Sequence, residues 1–245
     1  LGGIAVHESL LPRLRGFAPT NWSLILGHDK LGATLFQLTD SVDAGDIFFQ
    51  QAIMPRPLES YESVQNRIAE LSVDLFTQFL EGAKAGTLTA RRQDEAAATY
   101  TCPRIPEDGE IDWCRSSDEI ERLIRALAPP APGAFTYLAG EPLYLLAATA
   151  VEKPRNYEGR IPGRVVERHL DALTVDVLCG AGALRIARVR TATGRETAAA
   201  SVIRNVRESL GLNYSREIVA LRERVNELEA YLRSRQDAPN WKKTA

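Results

Sequence analysis

One histidine near the start of the chain is the first candidate for chemistry. His7 follows an apolar run at 4–6, which predicts a short buried strand, and it precedes Ser-Leu-Leu-Pro at 9–12. Open α/β sheets place ligand sites at the carboxyl ends of strands, and an imidazole can gain or lose a proton near neutral pH. Pro12 restricts its own backbone and that of Leu11, which should hold His7 in one place. A histidine at a strand end is more often structural, so residue type leaves both roles open.

Carboxylates follow in the segment Asp-Ser-Val-Asp-Ala-Gly-Asp at 40–46. Predicted strands at 33–38 and 47–53 flank this segment, so we expect a hairpin-like pair whose loop projects toward His7. Within such a loop, Asp43 is either a simple turn residue or the carboxylate partner of the histidine. Only its pairing with His7 would make it a functional residue.

These two motifs resemble those of the folate-dependent formyltransferases. His-x-Ser-Leu-Leu-Pro-x-x-Arg-Gly at 7–16 is similar to the family's active-site segment, and Asp-Ala-Gly-Asp at 43–46 is similar to the loop that carries its catalytic aspartate. Ile-Asp-Trp at 111–113 and the stretch 124–129 resemble the C-terminal domain of the methionyl-tRNA and nucleotide-sugar branches. The three stretches occur in the family's order, and the chain is identified as a member.

The resemblance implies an N-formyltransferase, which moves a formyl group from the cosubstrate 10-formyltetrahydrofolate to a primary amine. His7 would then stabilise the oxyanion when protonated or accept the amine proton when neutral, and Asp43 would favour the charged imidazole. The resemblance also implies folate-binding residues around this pair: Ser9, Leu10, Leu11, Pro12 and Val42. Arg13 and Arg15 bracket the exit of the strand and are the candidates for holding a phosphate or carboxylate of the substrate. By residue type alone, the two arginines could equally lie in solvated surface, and the serine could serve the loop backbone.

One position departs from the family's pattern. The family carries an asparagine two residues before the histidine, on the same strand face, where it supports the formyl oxygen; this chain has Ala5. Losing such a hydrogen-bond donor costs about 10²–10³ in rate. A non-catalytic, formyltransferase-like binding protein therefore stays open as an alternative function.

Further resemblances bear on the acceptor amine. Residues 18–22 and 132–137 resemble the aminoarabinose-nucleotide branch, which makes a nucleotide-linked amino sugar the first choice and methionyl-tRNA formyltransferase activity on initiator tRNA the alternative. Residues 153–207 hold eleven lysines and arginines against five acidic residues, and this bias could serve a tRNA backbone.

Composition bounds the class of protein. The 245 residues are 44% hydrophobic and 25% charged with a formal net charge of −2, which is ordinary for a globular protein and unlike one that coats nucleic acid. Three cysteines without a Cys-x-x-Cys pair indicate neither a disulfide framework nor a metal site. The sequence shows no signal peptide or long apolar run, so we expect a cytoplasmic protein without membrane contact. Because the resembled family carries further strands before its active-site strand, we expect this chain to be a fragment.

The expected fold is α/β. It consists of the C-terminal half of a Rossmann-like formyltransferase domain at 1–88, a linker at 89–99, a small OB-like β-barrel domain at 100–211 and an amphipathic C-terminal helix at 212–236. Apolar residues at helical intervals predict a long helix from near Ser60 to near Gly86. Ser116 and Glu119 form a predicted capping box, and five short strand-like stretches between 134 and 189 favour the barrel.

The last helix carries an apolar pattern of its own. Its large apolar residues recur at alternating intervals of three and four, at Ile218, Leu221, Val225, Leu228 and Leu232. This stripe predicts either a helix docked on its own chain or the seam of a homodimer, and we lean toward the homodimer.

Overall fold

Two helices cover a small antiparallel sheet in the first part of the chain. The computed structural model describes residues 2–236; Leu1, with which the expected first domain begins, and residues 237–245 lie outside the described residues. The elements of this part are β1 (Ile4–His7), β2 (Arg15–Gly16), α1 (Pro19–Leu26), β3 (Leu31–Gln37), β4 (Ile47–Ile53) and α2 (Tyr61–Ala85). Strand β3 pairs antiparallel with β1 on one side and with β4 on the other. The predicted pair of strands around the Asp43 loop is confirmed.

Helix α2 forms the main cover of this sheet. Its N-cap is Ser60, whose hydroxyl accepts a hydrogen bond from the Ser63 amide at 3.2 Å, and it ends at Gly86, whose φ of 68° suits glycine. The residues that it buries against β3 are Val64, Ile68, Leu71 and Leu75. Each buried side chain of this size contributes roughly 1.5–3 kcal/mol, so packing rather than helix propensity holds α2 in place.

The segment 89–99, expected as a linker, packs against the first part of the chain. Arg91 and Ile47 exchange two backbone hydrogen bonds of 2.8 and 2.9 Å. Immediately afterwards, β5 (Tyr100–Thr101) pairs in parallel with β2. The polar side chains of this segment form hydrogen bonds within the protein. The segment is therefore an ordered part of the fold and not a flexible linker.

The second part of the chain is a six-stranded antiparallel barrel with one long helix against it. Its elements are α3 (Ser117–Ala126), β6 (Ala134–Leu138), β7 (Glu141–Ala150), β8 (Val165–His169), β9 (Thr174–Leu178), β10 (Ala183–Thr191), β11 (Glu196–Ala198) and α4 (Ala199–Val202). The strand order is β6-β7-β10-β9-β8, and β11 pairs with β10. The predicted capping box at the start of α3 is confirmed, since Ser116 and Glu119 bond to each other's backbone amides.

The chain after α4 joins the two edges of this sheet. The Leu210 amide donates to the carbonyl of Gly163 before β8, and the Gly211 amide donates to Tyr137 in β6, both at 2.8 Å. Because this one segment satisfies backbone groups at both edges, the sheet closes around its core. The predicted small barrel is therefore present.

Helix α3 serves the cores of both parts. Ile120 and Ile124 are buried in the barrel core, whereas Ala126 is buried among residues of the first part. The Asn21 side-chain amide of α1 donates to the Ala126 carbonyl at 2.6 Å, and Arg125 donates to the Glu59 carbonyl at 3.0 Å. These contacts fix the two parts against each other.

Helix α5 (Tyr214–Gln236) follows the barrel as the expected C-terminal helix. Within the described residues, none of its side chains belongs to a hydrophobic core. The structure from 2 to 236 holds no helix with the length and apolarity needed to cross a bilayer.

The cysteines differ in their surroundings, which predicts a difference in reactivity. Cys179 is fully buried at the end of β9, and burial raises the pKa of its thiol to about 12, whereas Cys102 and Cys114 are exposed. Because the thiolate is the reactive form, a thiol-specific disulfide reagent at pH 8 should titrate two thiols in the native chain and three in guanidinium. The Cys179→Ser variant should give two under both conditions. Rapid reaction of three thiols in the native chain would contradict this placement.

Candidate active site

The imidazole of His7 lies at the carboxyl end of β1 and is held from both sides. It is 8% exposed; its Nε2 lies 2.8 Å from the Leu14 carbonyl oxygen, and its Nδ1 lies 3.6 Å from Oδ2 of Asp43. A carbonyl oxygen can only accept, so Nε2 carries a hydrogen in this arrangement. The Nδ1 atom faces the carboxylate of Asp43. The structure brings together the two residues that were predicted to be catalytic.

The carboxylate of Asp43 is positioned by a backbone amide. The Gly16 amide donates to its Oδ2 at 2.7 Å, which leaves the other oxygen for further contacts. Asp43 adopts a left-handed backbone with φ of 50° in the loop between β3 and β4. A side chain on Gly45 would collide with the Gln37 carbonyl, so the loop needs glycine there. The Asp-Ala-Gly-Asp sequence thus serves both the turn and the site.

Backbone strain is concentrated around the pair. Besides Asp43, Leu14 and Ala18 adopt left-handed backbones with φ of 60° and 46°. A non-glycine residue in this region costs roughly 1–3 kcal/mol, so surrounding contacts must hold it. Leu14 is 7% exposed, and its amide donates to Thr99 Oγ1 at 2.9 Å. The left-handed backbone of Leu14 directs its carbonyl toward His7. No local sequence pattern predicts this orientation.

The loop at 9–12 is bonded to β3 and β4 through Thr34. The Thr34 hydroxyl donates to the Ser9 carbonyl at 2.6 Å and accepts from the Leu11 amide at 3.2 Å. The Gln50 side-chain amide donates both to this hydroxyl and to the Leu11 carbonyl, each at 2.8 Å. The loop after His7 is therefore rigid, for reasons beyond the restriction by Pro12.

The structure separates the expected folate-binding residues into two groups. Leu10 and Pro12 are half-buried and Val42 is exposed, so their side chains can reach a ligand. The expectation of side-chain contacts needs correction for the other two. Ser9 is buried and its hydroxyl donates to the Arg13 carbonyl at 2.6 Å, and Leu11 is buried in a small apolar cluster. Both help to shape the loop.

Arg15, expected to bind substrate, is instead a buried structural residue. It is 1% exposed, and its N–H groups donate to Gln93, Glu95 and Tyr100 at 2.8–3.3 Å. All five N–H donors are occupied, so none is left for an anion. The hydrogen bond to Glu95 is the main cause that raises the pKa of Arg15, against the opposing effect of burial. Arg13, in contrast, is exposed beside the site.

Gln93 is a site residue that sequence analysis missed. Its side-chain amide donates to the carbonyls of Asp43 and Gly45 at 2.8 and 2.7 Å, and its Oε1 accepts from Arg15. The Gln93 side chain is 4% exposed. Through these hydrogen bonds it connects the buried guanidinium of Arg15 with the Asp43 loop. A single glutamine in a polar segment carries no signal that would have indicated this role.

Ala5 lies on β1, two residues before His7 and so on the same strand face. It is partly buried and packs against the cluster of Leu11, Phe36 and Ile47. Its methyl group adds apolar contact at the position where the resemblance led us to expect a hydrogen-bond donor. Alanine therefore fits the local packing and leaves no side-chain hydrogen-bond donor at this position on the face that carries His7.

A second group of ionisable side chains lies in the barrel. Glu167, His169 and Asp176 each place one potential ligand atom within 4.8 Å of the others. Arg185 donates to both oxygens of Asp176 at 2.8 and 2.7 Å. Burial raises the pKa of Asp176, but hydrogen bonds from Arg185 and His169 outweigh burial and lower it overall. Because the guanidinium neutralises the carboxylate, this arrangement favours an ion-pair cluster over a metal site.

Comparison with known proteins adds to this geometry. The family model described as "Formyl transferase" matches residues 1–80, and that described as "Formyl transferase, C-terminal domain" matches 104–207. The chain belongs to the formyltransferase family. Methionyl-tRNA formyltransferase from Desulfotalea psychrophila is 38% identical over 175 residues, which cover 71% of this chain and 53% of that protein. The chain thus spans about half the length of this curated relative.

Solved structures share the fold. HypX from Aquifex aeolicus in complex with tetrahydrofolic acid matches with a TM-score of 0.61 and 21% identity over 83% of this chain and 35% of that one. The N-formyltransferase from Helicobacter canadensis, in complex with folinic acid and dTDP-3-aminofucose, matches with a TM-score of 0.59 and 16% identity over 75% and 64%. These likenesses confirm the Rossmann-like formyltransferase fold predicted from the sequence.

The bonding of Gln93 predicts a large effect of its removal on stability. Gln93→Leu keeps the volume but leaves the Asp43 and Gly45 carbonyls and part of Arg15 without partners, and each orphaned buried group costs ~1–3 kcal/mol. We expect the free energy of unfolding, measured by urea denaturation of the full chain, to fall by about 3 kcal/mol or more. The exposed Gln78→Leu on α2 is the matched control and should change it by less than about 0.5 kcal/mol. Equal effects of the two variants would contradict the role of Gln93.

Proposed function

We propose that the protein to which this chain belongs transfers a formyl group from 10-formyltetrahydrofolate to a primary amine. The observation that carries the proposal is the paired His7 and Asp43, 3.6 Å apart, in a chain of the formyltransferase family. Leu10, Pro12 and Val42 remain accessible beside the pair and offer apolar surface to a folate ring. These residues fit a folate cosubstrate. Ala5 is the exception, because its methyl group cannot donate a hydrogen bond to the formyl oxygen.

We propose that Nδ1 of His7 carries the proton chemistry. The folate supplies the formyl group, and during its transfer the amine loses a proton while the folate nitrogen gains one. His7 keeps its Nε2 hydrogen on the Leu14 carbonyl, so only Nδ1 accepts and returns the proton. Asp43 stabilises the charged imidazole and is itself held by the Gly16 amide. The pair is therefore oriented before a substrate arrives.

For the acceptor we propose methionyl-tRNA rather than a nucleotide-linked amino sugar. A methionyl-tRNA formyltransferase matches at 38% identity, whereas the sugar N-formyltransferase shares only the fold at 16% identity. This order reverses the one expected from residues 18–22 and 132–137. The eleven basic residues between 153 and 207 support a polyanionic acceptor, because phosphate contacts dominate nucleic-acid affinity.

Arg13 is the proposed contact for an acceptor phosphate. It is exposed and lines a cavity of about 350 Å³ together with Leu14, Trp22 and His28. Burial and the nearby Arg13 lower the pKa of His28, so Arg13 is the cation of this cavity at neutral pH. Its position on the loop after His7 would bring an anion close to the reacting groups.

Ala5 supports a second candidate, a formyltransferase-like protein that binds folate without turnover. The missing donor weakens stabilisation of the developing oxyanion but leaves the loop and the His7–Asp43 pair in place. Such a protein would bind the same ligands and transfer formyl groups very slowly.

Restoring the donor distinguishes the two candidates. In the full-length protein, Ala5→Asn should raise kcat for formyl transfer by about 10²–10³, because it returns a hydrogen bond made chiefly in the transition state. Ala5→Val, which adds volume but no donor, should give no increase. If Ala5→Asn still binds folate yet produces no detectable transfer, the enzyme proposal fails while the binding candidate stands.

The acceptor is tested with the Ala5→Asn protein so that a weak donor site does not hide the result. We expect formylation of initiator methionyl-tRNA and binding that weakens steeply with added salt, because phosphate contacts release counterions. Arg13→Gln should weaken tRNA binding and reduce that salt dependence. Transfer to a nucleotide-linked amino sugar with none to methionyl-tRNA would overturn the proposed acceptor.

A further inference from the structure

The apolar stripe of α5 is uncovered in the single chain. Its residues and their exposed fractions are Ile218 50%, Leu221 64%, Val225 52%, Leu228 48% and Leu232 58%. Every residue from 218 to 233 is exposed. Soluble monomers rarely leave a continuous apolar stripe of this kind in water. Docking on the barrel, one of the two arrangements expected from the sequence, is absent from the described residues.

The residue types along the stripe indicate how many helices pack together to bury it, and in which direction they run. The intervals of three and four place Ile218, Val225 and Leu232 at heptad position a and Leu221 and Leu228 at position d. β-Branched residues at a, combined with leucine at d, favour two parallel strands over trimers or tetramers. Two of the three a positions and both d positions follow this rule.

The flanking charges complement a second copy of the same helix. Glu217 and Arg224 occupy position g, and Arg222 and Glu229 occupy position e. In a parallel, in-register pair, each g residue faces the e residue of the partner's next heptad. Glu217 then meets the partner's Arg222, and Arg224 meets the partner's Glu229. The two-fold symmetry repeats both contacts, which gives four attractive pairs.

Other occupants of the stripe fit less well. An antiparallel pair that keeps the layers aligned places Arg222 and Arg224 against their own copies, and one shifted by a heptad leaves Ile218 without an apolar partner. A membrane surface would favour an excess of basic residues on the polar face, whereas residues 214–233 hold four arginines and four glutamates. The balanced charges therefore favour self-pairing.

We infer that α5 is the seam of a homodimer, a parallel in-register two-stranded coiled coil. Its five a and d layers bury the stripe, and the four ion pairs select the orientation. Fewer than three full heptads form a marginal coiled coil alone, so the assembly is expected to be reversible and dependent on concentration. The inference is independent of the formyl-transfer proposal.

Sedimentation equilibrium of the full chain tests the seam. We expect a dimer at high micromolar concentration and a monomer for the double variant Leu221→Asp/Leu228→Asp. Val219→Asp is the matched control, since Val219 is apolar and 53% exposed on the same helix but lies at position b, outside the seam. A wild-type monomer, or a dimer that survives the double variant, would overturn the proposal, as would equal disruption by Val219→Asp.

Cross-linking tests the orientation. In a background with Cys102→Ser and Cys114→Ser, Leu221→Cys and Leu228→Cys are made separately and oxidised. A parallel in-register pair brings each cysteine to its own copy, so both variants should form disulfide-linked dimers. The two antiparallel alignments each separate one of these positions by more than about 10 Å along the axis, at 1.5 Å per residue. Cross-linking of only one variant, or of neither, would refute the parallel arrangement.

Discussion

The arrangement of the site depends on the buried guanidinium of Arg15. Its partners Gln93, Glu95 and Tyr100 lie 78–85 residues further along the chain, and they occupy all of its donors. Removing a guanidinium from water costs several kcal/mol unless its charge and donors are paired. The loop that carries Arg15 can therefore close only when the segment after α2 is in place. That same loop supplies the Leu14 carbonyl to His7 and the Gly16 amide to Asp43.

This coupling explains why a polar segment between two cores is so well ordered. If residues 89–99 were a flexible connection, they could be lengthened at little cost in entropy. Such a connection could not hold Asp43 at a fixed distance from His7. Gln93 links the cation to the carbonyls of the Asp43 loop, and Thr99 bonds to the strained Leu14. The first part of the chain and the start of the second thus share one hydrogen-bonded network, and α3 adds to it by packing into both cores.

The candidate site combines a close histidine–carboxylate pair with an apolar residue at position 5. His7 and Asp43 lie 3.6 Å apart, whereas Ala5 offers only a methyl group on the strand face that carries His7. In the proposed reaction these two features would act on different parts of the barrier, because the pair would move protons and a donor at position 5 would stabilise negative charge on oxygen. Family membership therefore accounts for the fold, and under the proposed function the rate would depend on this one strand position.

The sequence by itself determined the elements whose signals are local. The strand ending at His7, the α2 helix between Ser60 and Gly86 and the capped start of α3 follow from periodicity and caps, which involve residues within a few positions of one another. Motif resemblance identified His7 and Asp43 together. Only the tertiary structure decided that Arg15 and Ser9 are structural, that Gln93 positions the Asp43 loop, and that α5 is uncovered. These roles depend on which distant groups are buried beside a side chain, and a buried polar group takes its function from those partners.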